Sequence, residues 1–123
     1  MAGVIRDRAL LASCLASADV MIHGGAAETY GLVIAEALCS GLPVVTPNTG
    51  GAAELAGPGY AETYAPGDPN AFAAAIERIL ARNRAELSRA ALLSAETRIG
   101  SPRDHFSRLF DHYEDLIARR AAA

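Results

Sequence analysis

Apolar residues recur along the first third of the chain in patterns typical of alternating helices and strands. In residues 6–17, RDRALLASCLAS, they follow the helical period and predict a helix with one apolar stripe. That stripe consists of Leu10, Leu11, Cys14 and Leu15. The next run, ADVMIH, predicts a short buried strand that ends at His23. Residues 30–40 are apolar on nearly every side and predict a second helix, which should end at Gly41 in a left-handed conformation.

The middle of the chain continues the alternation with shorter elements. Pro43 opens a predicted strand, PVVT, and YAETYA is a further short strand candidate. Between these two strands, PNTGG predicts a loop and AAELAG a helix of about one and a half turns.

Three helices are predicted in the last half of the chain. Asp68 is the expected N-cap of the first, with Pro69 at its first helical position. RAELSRAALLSAETR is the second candidate. The closing helix, over 101–120, opens with SPRD, where Ser101 and Asp104 have the spacing of a capping box. Its apolar face, expected to be core or interface, consists of Phe106, Leu109, Phe110, Tyr113, Leu116 and Ile117.

Alternating helices and strands of these lengths predict an α/β fold with a parallel sheet and right-handed crossovers. A chain of 123 residues is one domain at most, so 1–123 is treated as a single unit. The fold class is therefore α/β.

Composition and charge exclude several classes of protein. A hydrophobic fraction of 51% with 20% charged residues is typical of a folded soluble chain, and the net charge of −3 gives no basic surface for nucleic acid. No apolar run reaches the roughly 20 residues of a transmembrane helix, which leaves peripheral membrane contact open. The start of the chain shows no export signal, so a cytoplasmic location is expected.

The cysteines and histidines do not predict a metal site or a cofactor. Cys14 and Cys39 are far apart, and both are expected to be small core residues. His105 and His112 share a helix face, but no third ligand is near them in the sequence.

Two glutamates at the start of the second helix are the first candidates for chemistry. Glu36 lies within an apolar helix, where a carboxylate loses hydration unless a partner hydrogen-bonds it. The loop before that helix follows a strand end, where open α/β sheets bind ligands, and Gly24 and Gly25 allow close approach to its backbone. The N–H groups of Tyr30, Gly31 and Leu32 would face such a ligand, and helix N-termini favour phosphate.

The positions of the two carboxylates suggest which ligand this is. Glu36 lies about 7.5 Å along the helix from Gly31, beyond the phosphate, where it can accept hydrogen bonds from a ribose diol. Glu28 lies on the other side of the helix start and can hold further hydroxyls. The implied ligand carries hydroxyl groups at one end, a diphosphate in the middle and a ribose at the other end, which is the arrangement of a nucleotide sugar. The spacing supports an alternative equally well. In that alternative, Glu28 is only a favourable charge near a helix start and Glu36 is a solvated surface residue.

Residues 18–55 resemble the signature region of a large group of retaining, nucleotide-sugar-dependent glycosyltransferases. The group includes glycogen and sucrose synthases and many bacterial mannosyl- and glucosyltransferases. Its pair of glutamates with seven residues between them is matched by Glu28 and Glu36. The aromatic-Gly-Leu run after the first glutamate is matched by Tyr30, Gly31 and Leu32. The group continues with a Glu-Ala…Ser/Cys-Gly-x-Pro-Val-Val run, which is matched by residues 36–45. A Gly-Gly pair and a glutamate follow in the group, and they are matched by Gly50, Gly51 and Glu54.

The resemblance implies a partial Rossmann-like parallel sheet with flanking helices. This sheet would be the donor-binding, C-terminal part of a two-domain GT-B enzyme, incomplete at its N-terminal side. It implies that Glu28 contacts the transferred sugar, that the backbone from Thr29 to Leu32 contacts the diphosphate and sugar, and that Glu36 contacts the ribose. Gly50 and Gly51 then either allow the backbone to approach the donor or form a turn. His23, Gly24 and Gly25 stand where the group often has His-Pro-Ser, and they are candidates for the lining of the site. The alternative for His23 is a structural role, which is more common for a lone histidine at a strand end.

The implied activity is hexosyl transfer from a nucleoside diphosphate sugar to an unidentified acceptor with retention, without a cofactor. The group's Arg/Lys pair for the diphosphate and its acceptor domain have no match here, so the chain alone is expected to be inactive and to self-associate. Two alternatives remain: a GT-B nucleotide-sugar epimerase, or a non-catalytic module that binds a nucleotide sugar or a protein. A true start at Met1 would favour the module. The donor, the acceptor and the linkage stay open.

Overall fold

The computed structural model describes residues 3–121, which form six α-helices, a π-helical segment and three strands. The helices are α1 Arg8–Ser17, α2 Leu32–Cys39, α3 Gly50–Leu55, α4 Pro69–Leu80, α5 Arg84–Ser94 and α6 Pro102–Ala121. The strands are β1 Met21–Ile22, β2 Val44–Pro47 and β3 Ala61–Tyr64, and the π-helical segment is Ala95–Ile99.

The three strands form one parallel sheet in the order β1-β2-β3. Their carboxyl ends therefore lie along one edge, and the loops that follow them meet there. The hydroxyl of Tyr64, the last residue of β3, donates a hydrogen bond to the carbonyl of His23 over 3.0 Å. This bond ties together the two outer strand ends across β2.

Apolar residues cover both faces of β2, as expected for a central parallel strand. Val44 and Val45 are both fully buried and face opposite sides of the sheet. On one side, Ile34 and Leu38 of α2 form a cluster with residues of α3, α5 and the π-helical segment. On the other side, Ile79 of α4 packs with the first turn of α5. This two-sided packing confirms the predicted α/β class with a Rossmann-like sheet and flanking helices.

The helix ends follow the predicted caps. The Asp68 carboxylate accepts hydrogen bonds from the amides of Asn70 and Ala71, at 2.9 and 3.0 Å. Ser101 and Asp104 form the reciprocal capping box, with N···O distances of 2.9 Å and 3.2 Å. Gly41 adopts a φ of 70°, so the predicted left-handed end of α2 is confirmed.

Several helix boundaries differ from the prediction. Helix α3 begins at Gly50, so the Gly-Gly pair that was predicted to lie in a loop forms its first turn. Helix α2 begins at Leu32 rather than Tyr30, because Gly31 adopts a φ of 83° and acts as a left-handed N-cap. Helix α5 ends at Ser94 and continues as the π-helical segment, which no sequence pattern indicated.

The predicted burial of both cysteines is wrong, since Cys14 and Cys39 are exposed. In α2 the core covers Ile34 and Leu38 and their neighbours, whereas Glu36 and Cys39 lie on the opposite stripe. In α1 the contact with the core is made by Leu15, and Cys14 faces away. The strand β1 is also less buried than predicted, because it is the edge strand and Ile22 is 46% exposed.

One arginine joins three helices. The guanidinium of Arg84, at the start of α5, donates to the carbonyl of Gly41 over 3.2 Å and to that of Ala18 over 2.8 Å. These carbonyls lie just after α2 and α1, so a single side chain connects the segments that follow both helices.

The closing helix α6 stands where it was predicted. Its apolar face remains exposed in the described chain, with Phe110 and Ile117 exposed by 59% and 69%. Its assignment to an interface stays a prediction. Over residues 3–121, no helix combines the length and the apolar character that crossing a membrane requires.

Candidate functional site

The loop between β1 and α2 carries Glu28 and is fixed by the start of α3. The amide of Gly51 donates to the Glu28 carbonyl over 2.8 Å. A Cβ at Gly50 would lie 2.9 Å from that same carbonyl oxygen, and one at Gly51 would lie 2.6 Å from the carbonyl carbon of Thr29. The Gly-Gly pair therefore lets α3 pack directly on the backbone of the loop, which gives both glycines a role in holding Glu28.

The Glu28 carboxylate lies at the N-terminal end of α2. Its Oε1 accepts from the amide of Tyr30 over 3.4 Å. The backbone N–H of Gly31 and then that of Tyr30 lower the pKa of Glu28, with smaller contributions from the Thr29 N–H and from His23. Hydrogen bonds to the charged form explain this direction, so Glu28 is an anion at neutral pH.

Three backbone amides at the helix N-terminus were expected to be free for a ligand, and two of them already face Glu28. Those of Tyr30 and Gly31 approach Glu28, whereas that of Leu32 has no hydrogen-bond acceptor within residues 3–121. The Tyr30 and Leu32 side chains are exposed, by 50% and 71%. Gly31 is buried against Ile34 and Leu55.

His23 faces Glu28 from the end of β1. Its Nε2 lies 3.9 Å from Glu28 Oε2, and this buried nitrogen has no hydrogen-bond partner among the described residues. A Cβ at Gly25 would lie 3.0 Å from the same nitrogen, so Gly25 leaves the space that the imidazole fills. A buried N–H or lone pair without a partner costs free energy, so His23 is the least satisfied polar group of this loop among the described residues.

Gly24 lines a cavity at the same edge of the sheet. Together with Tyr64 and Phe72 it lines an apolar cavity of about 370 Å³. The two rings lie edge to face, with centroids 4.9 Å apart. Sequence reasoning missed both aromatic residues, although the position of Tyr64 at a strand end was a usable signal.

Glu36 lies apart from these residues. Its side chain is 45% exposed, so the expected burial of this carboxylate is wrong. Its Oε1 is 4.0 Å from Arg8 Nη2, and both line a cavity of about 210 Å³ between α1 and α2. No hydrogen bond within residues 3–121 links Glu36 to the Glu28 loop. Arg8 was missed because a charge in a predicted surface helix carries no distinguishing signal.

The structure thus brings His23, Gly25, Glu28, Gly50 and Gly51 into one constellation and leaves Glu36 on another face of α2. The described residues contain no group of three or more His, Cys, Asp or Glu side chains arranged to hold a metal ion.

Comparison with known families identifies the region that contains these residues. The family described as glycosyl transferases group 1 matches residues 1–82, which include both glutamates and the Gly-Gly pair. The chain belongs to this glycosyl transferase family. The resemblance seen in the sequence is therefore confirmed, including its assignment to the C-terminal part of a GT-B fold.

Relatives of this group 1 glycosyl transferase match it over part of their length. A GDP-mannose-dependent alpha-mannosyltransferase of Mycolicibacterium smegmatis is 31% identical over 114 residues, which cover 92% of this chain and 30% of that protein. Sucrose-phosphate synthase of Thermosynechococcus elongatus aligns with a TM-score of 0.74 and 28% identity, over 89% of this chain and 28% of that one. Anabaena HepE (Alr3699) in complex with UDP aligns with a TM-score of 0.62 and 30% identity, over 69% of this chain and 24% of that one. The chain thus spans less than a third of each.

Proposed function

We propose that this chain is the donor-binding part of a retaining glycosyltransferase that transfers a hexosyl group from a nucleoside diphosphate sugar. The observation that carries the proposal is the Glu28 carboxylate, held at the start of α2 by backbone amides and faced by His23 at 3.9 Å. A carboxylate fixed in this way can accept hydrogen bonds from sugar hydroxyls. The UDP complex of HepE and the mannosyltransferase relative support a nucleotide sugar as the ligand.

The reaction we infer is electrostatic and positional. Bond cleavage leaves added negative charge on the diphosphate, which the partial positive charge at the N-terminus of α2 can share. Glu28 orients the transferred sugar, and Glu36 orients the ribose from the α1 side. We nominate no covalent nucleophile, because departure and attack on the same face give retention without one.

Charge balance at the donor loop favours additional cationic groups in the complete site. A helix N-terminus supplies about half an elementary charge, against roughly two negative charges on a diphosphate. Glu28 adds a further negative charge beside that terminus. We therefore propose that cationic groups and the acceptor site come from a further domain, and that residues 1–123 alone bind donor without turnover. We place the protein in the cytoplasm, where its exposed thiols would stay reduced.

The test compares a nucleotide sugar with its bare nucleotide. Calorimetry on the chain would use GDP, GDP-mannose, UDP and UDP-glucose. We expect Glu28→Gln to remove the extra affinity for the sugar-bearing ligand and to spare the bare diphosphate. Glu77→Gln is the matched control, since Glu77 is an exposed carboxylate of α4.

Two results would contradict the proposal. One is the absence of binding to any of the four ligands in a folded chain. The other is equal loss for nucleotide and nucleotide sugar, which would make Glu28 a structural residue. Sugar transfer by residues 1–123 alone to a broad acceptor mixture would overturn the expected need for a further domain.

A further inference from the structure

A cavity of about 410 Å³ lies between the start of α2, the π-helical segment and α6. Its polar lining is basic or neutral, in a chain whose net charge is −3. The polar residues that line it are Tyr30, Arg98, His105, Arg108 and His112, and the apolar ones are Ile99 and Leu109. A concave surface with two guanidinium groups and no carboxylate among its lining residues favours an anion.

Arg98 is held in place by neutral partners. Its Nη1 donates to the Tyr60 hydroxyl over 3.0 Å, and its Nη2 donates to the Glu54 carbonyl. The buried Tyr60 hydroxyl also accepts from Ser94 over 2.7 Å and donates to the Leu55 carbonyl over 2.8 Å. This satisfied network fixes the guanidinium without neutralising it, so the charge of Arg98 is pre-organised and remains available.

Arg108 enters the cavity from α6. Its Nε donates to the Asp104 carbonyl over 3.3 Å, while one Nη lies against the backbone of Gly100, 3.0 Å from where a Cβ would stand. The neighbouring Asp104 carboxylate is bound by the amide and hydroxyl of Ser101, at 2.9 and 2.7 Å. Within residues 3–121, no carboxylate oxygen lies within 4.0 Å of either the Arg98 or the Arg108 guanidinium, although the charge of Arg108 is close enough to contribute to the lowered pKa of Asp104.

We propose that Arg98 and Arg108, with the Tyr30 hydroxyl and the imidazoles of His105 and His112, form a binding site for a phosphate group. Guanidinium pairs bind phosphate oxygens through paired N–H donors, which gives both affinity and geometry. The site adjoins the donor loop through Tyr30, which lines this cavity while its amide faces Glu28. The ligand is a phosphate ester, either a soluble sugar phosphate or a phospholipid headgroup.

The experiment measures phosphate binding to the folded chain by NMR, with inorganic phosphate and glucose 6-phosphate as probes. Vesicles of phosphatidylcholine, with and without phosphatidylinositol, test the lipid source by co-sedimentation. We expect saturable binding by one of these probes, weakened about tenfold or more by Arg108→Gln, since each charge-assisted contact is strong. The matched control is Arg103→Gln, which removes the same charge from the same helix outside the cavity.

A second variant guards against a folding defect. His105 and His112 are exposed, so His105→Gln with His112→Gln should preserve the fold and still weaken binding. Three results would overturn the proposal: no saturable binding of any probe, equal weakening by Arg108→Gln and Arg103→Gln, or displacement of the probe by GDP or UDP. The last would assign the phosphate to the donor site. If the chain bound no nucleotide sugar, the proposed donor site would be wrong, but the effect of Arg108→Gln on phosphate binding would still be expected.

Discussion

The amide of Gly51 donates to the carbonyl of Glu28 over 2.8 Å, so the first turn of α3 holds the loop that carries the carboxylate. The two residues are 23 positions apart in the sequence, yet this backbone contact permits no side chain between them. The glycine pair thus fixes the backbone position of the loop that carries Glu28.

Replacing Gly51 by alanine should therefore destabilise the chain and displace Glu28. The added Cβ would lie 2.6 Å from the Thr29 carbonyl carbon and 2.8 Å from the Tyr30 amide nitrogen, so backbone must move. We expect a loss of about 1–3 kcal/mol in the free energy of unfolding, measured with urea. Gly24→Ala is the control, since its Cβ would meet nothing within 4 Å and should change stability by less than about 0.5 kcal/mol. Equal effects of the two substitutions would refute the packing argument.

Glu36→Ala should weaken binding of a bare nucleoside diphosphate about tenfold, because its proposed contact is to ribose rather than to the transferred sugar. Calorimetry with GDP and UDP measures this effect. Arg8→Ala separates the ligand contact from the ion pair. Arg8 lies 4.0 Å from Glu36 and is 92% exposed, so its removal should leave affinity unchanged. Unchanged affinity in Glu36→Ala would leave this glutamate as a solvated surface residue.

The capping box of α6 should make its helicity sensitive to acid. The Ser101 hydroxyl first, and then the Ser101 amide, lower the pKa of Asp104. A lowered pKa in the folded state means that the charged form stabilises the helix above the ordinary pKa, and that this stabilisation is lost as pH falls through the lowered value.

Circular dichroism of the chain and of Asp104→Asn, followed from pH 7 downward, tests this relation. We expect the chain to be more helical than the variant at pH 7, and the difference to vanish well below pH 3.8, the ordinary value for this carboxyl group. A difference that persists in strong acid would show that the Asp104 charge is not its source.

Both cysteines should react with a thiol reagent in the native chain, because Cys14 and Cys39 are exposed. Labelling followed by mass spectrometry should give two modified thiols without denaturant. Cys14→Ser and Cys39→Ser should each change the free energy of unfolding by less than about 0.5 kcal/mol. Protection of either thiol until urea is added would restore the burial that the sequence suggested.

The parts of the fold that could be predicted are those determined by local chemistry. Asp68 and Ser101 bond to amides two or three residues away, and Gly41 needs only its own freedom at positive φ. The errors arose where burial depends on distant elements. Glu36 lies within an apolar run, but the core covers only one side of α2 and leaves this residue outside.

The candidate site also contains residues that a local motif predicts and contacts that depend on distant elements. Glu28 and Gly51 could be named from a motif, whereas the contact between them depends on how α3 packs against the loop. Arg98 was not predicted at all, since its position depends on a hydrogen bond to Tyr60, which lies 38 residues earlier. Sequence patterns therefore locate the residues of a loop more readily than the side chains that reach it from other elements.

The contacts of Arg84 with the carbonyls of Gly41 and Ala18 span 43 and 66 residues of sequence. Helices α1 and α2 close their last turns with local hydrogen bonds, but the carbonyls of Ala18 and Gly41 just beyond them obtain this partner only after α5 has docked. Attachment of the segments that follow these two helices therefore depends on a part of the chain that a ribosome would synthesise much later. The later arrival of Arg84 would couple the two halves into one cooperative folding step.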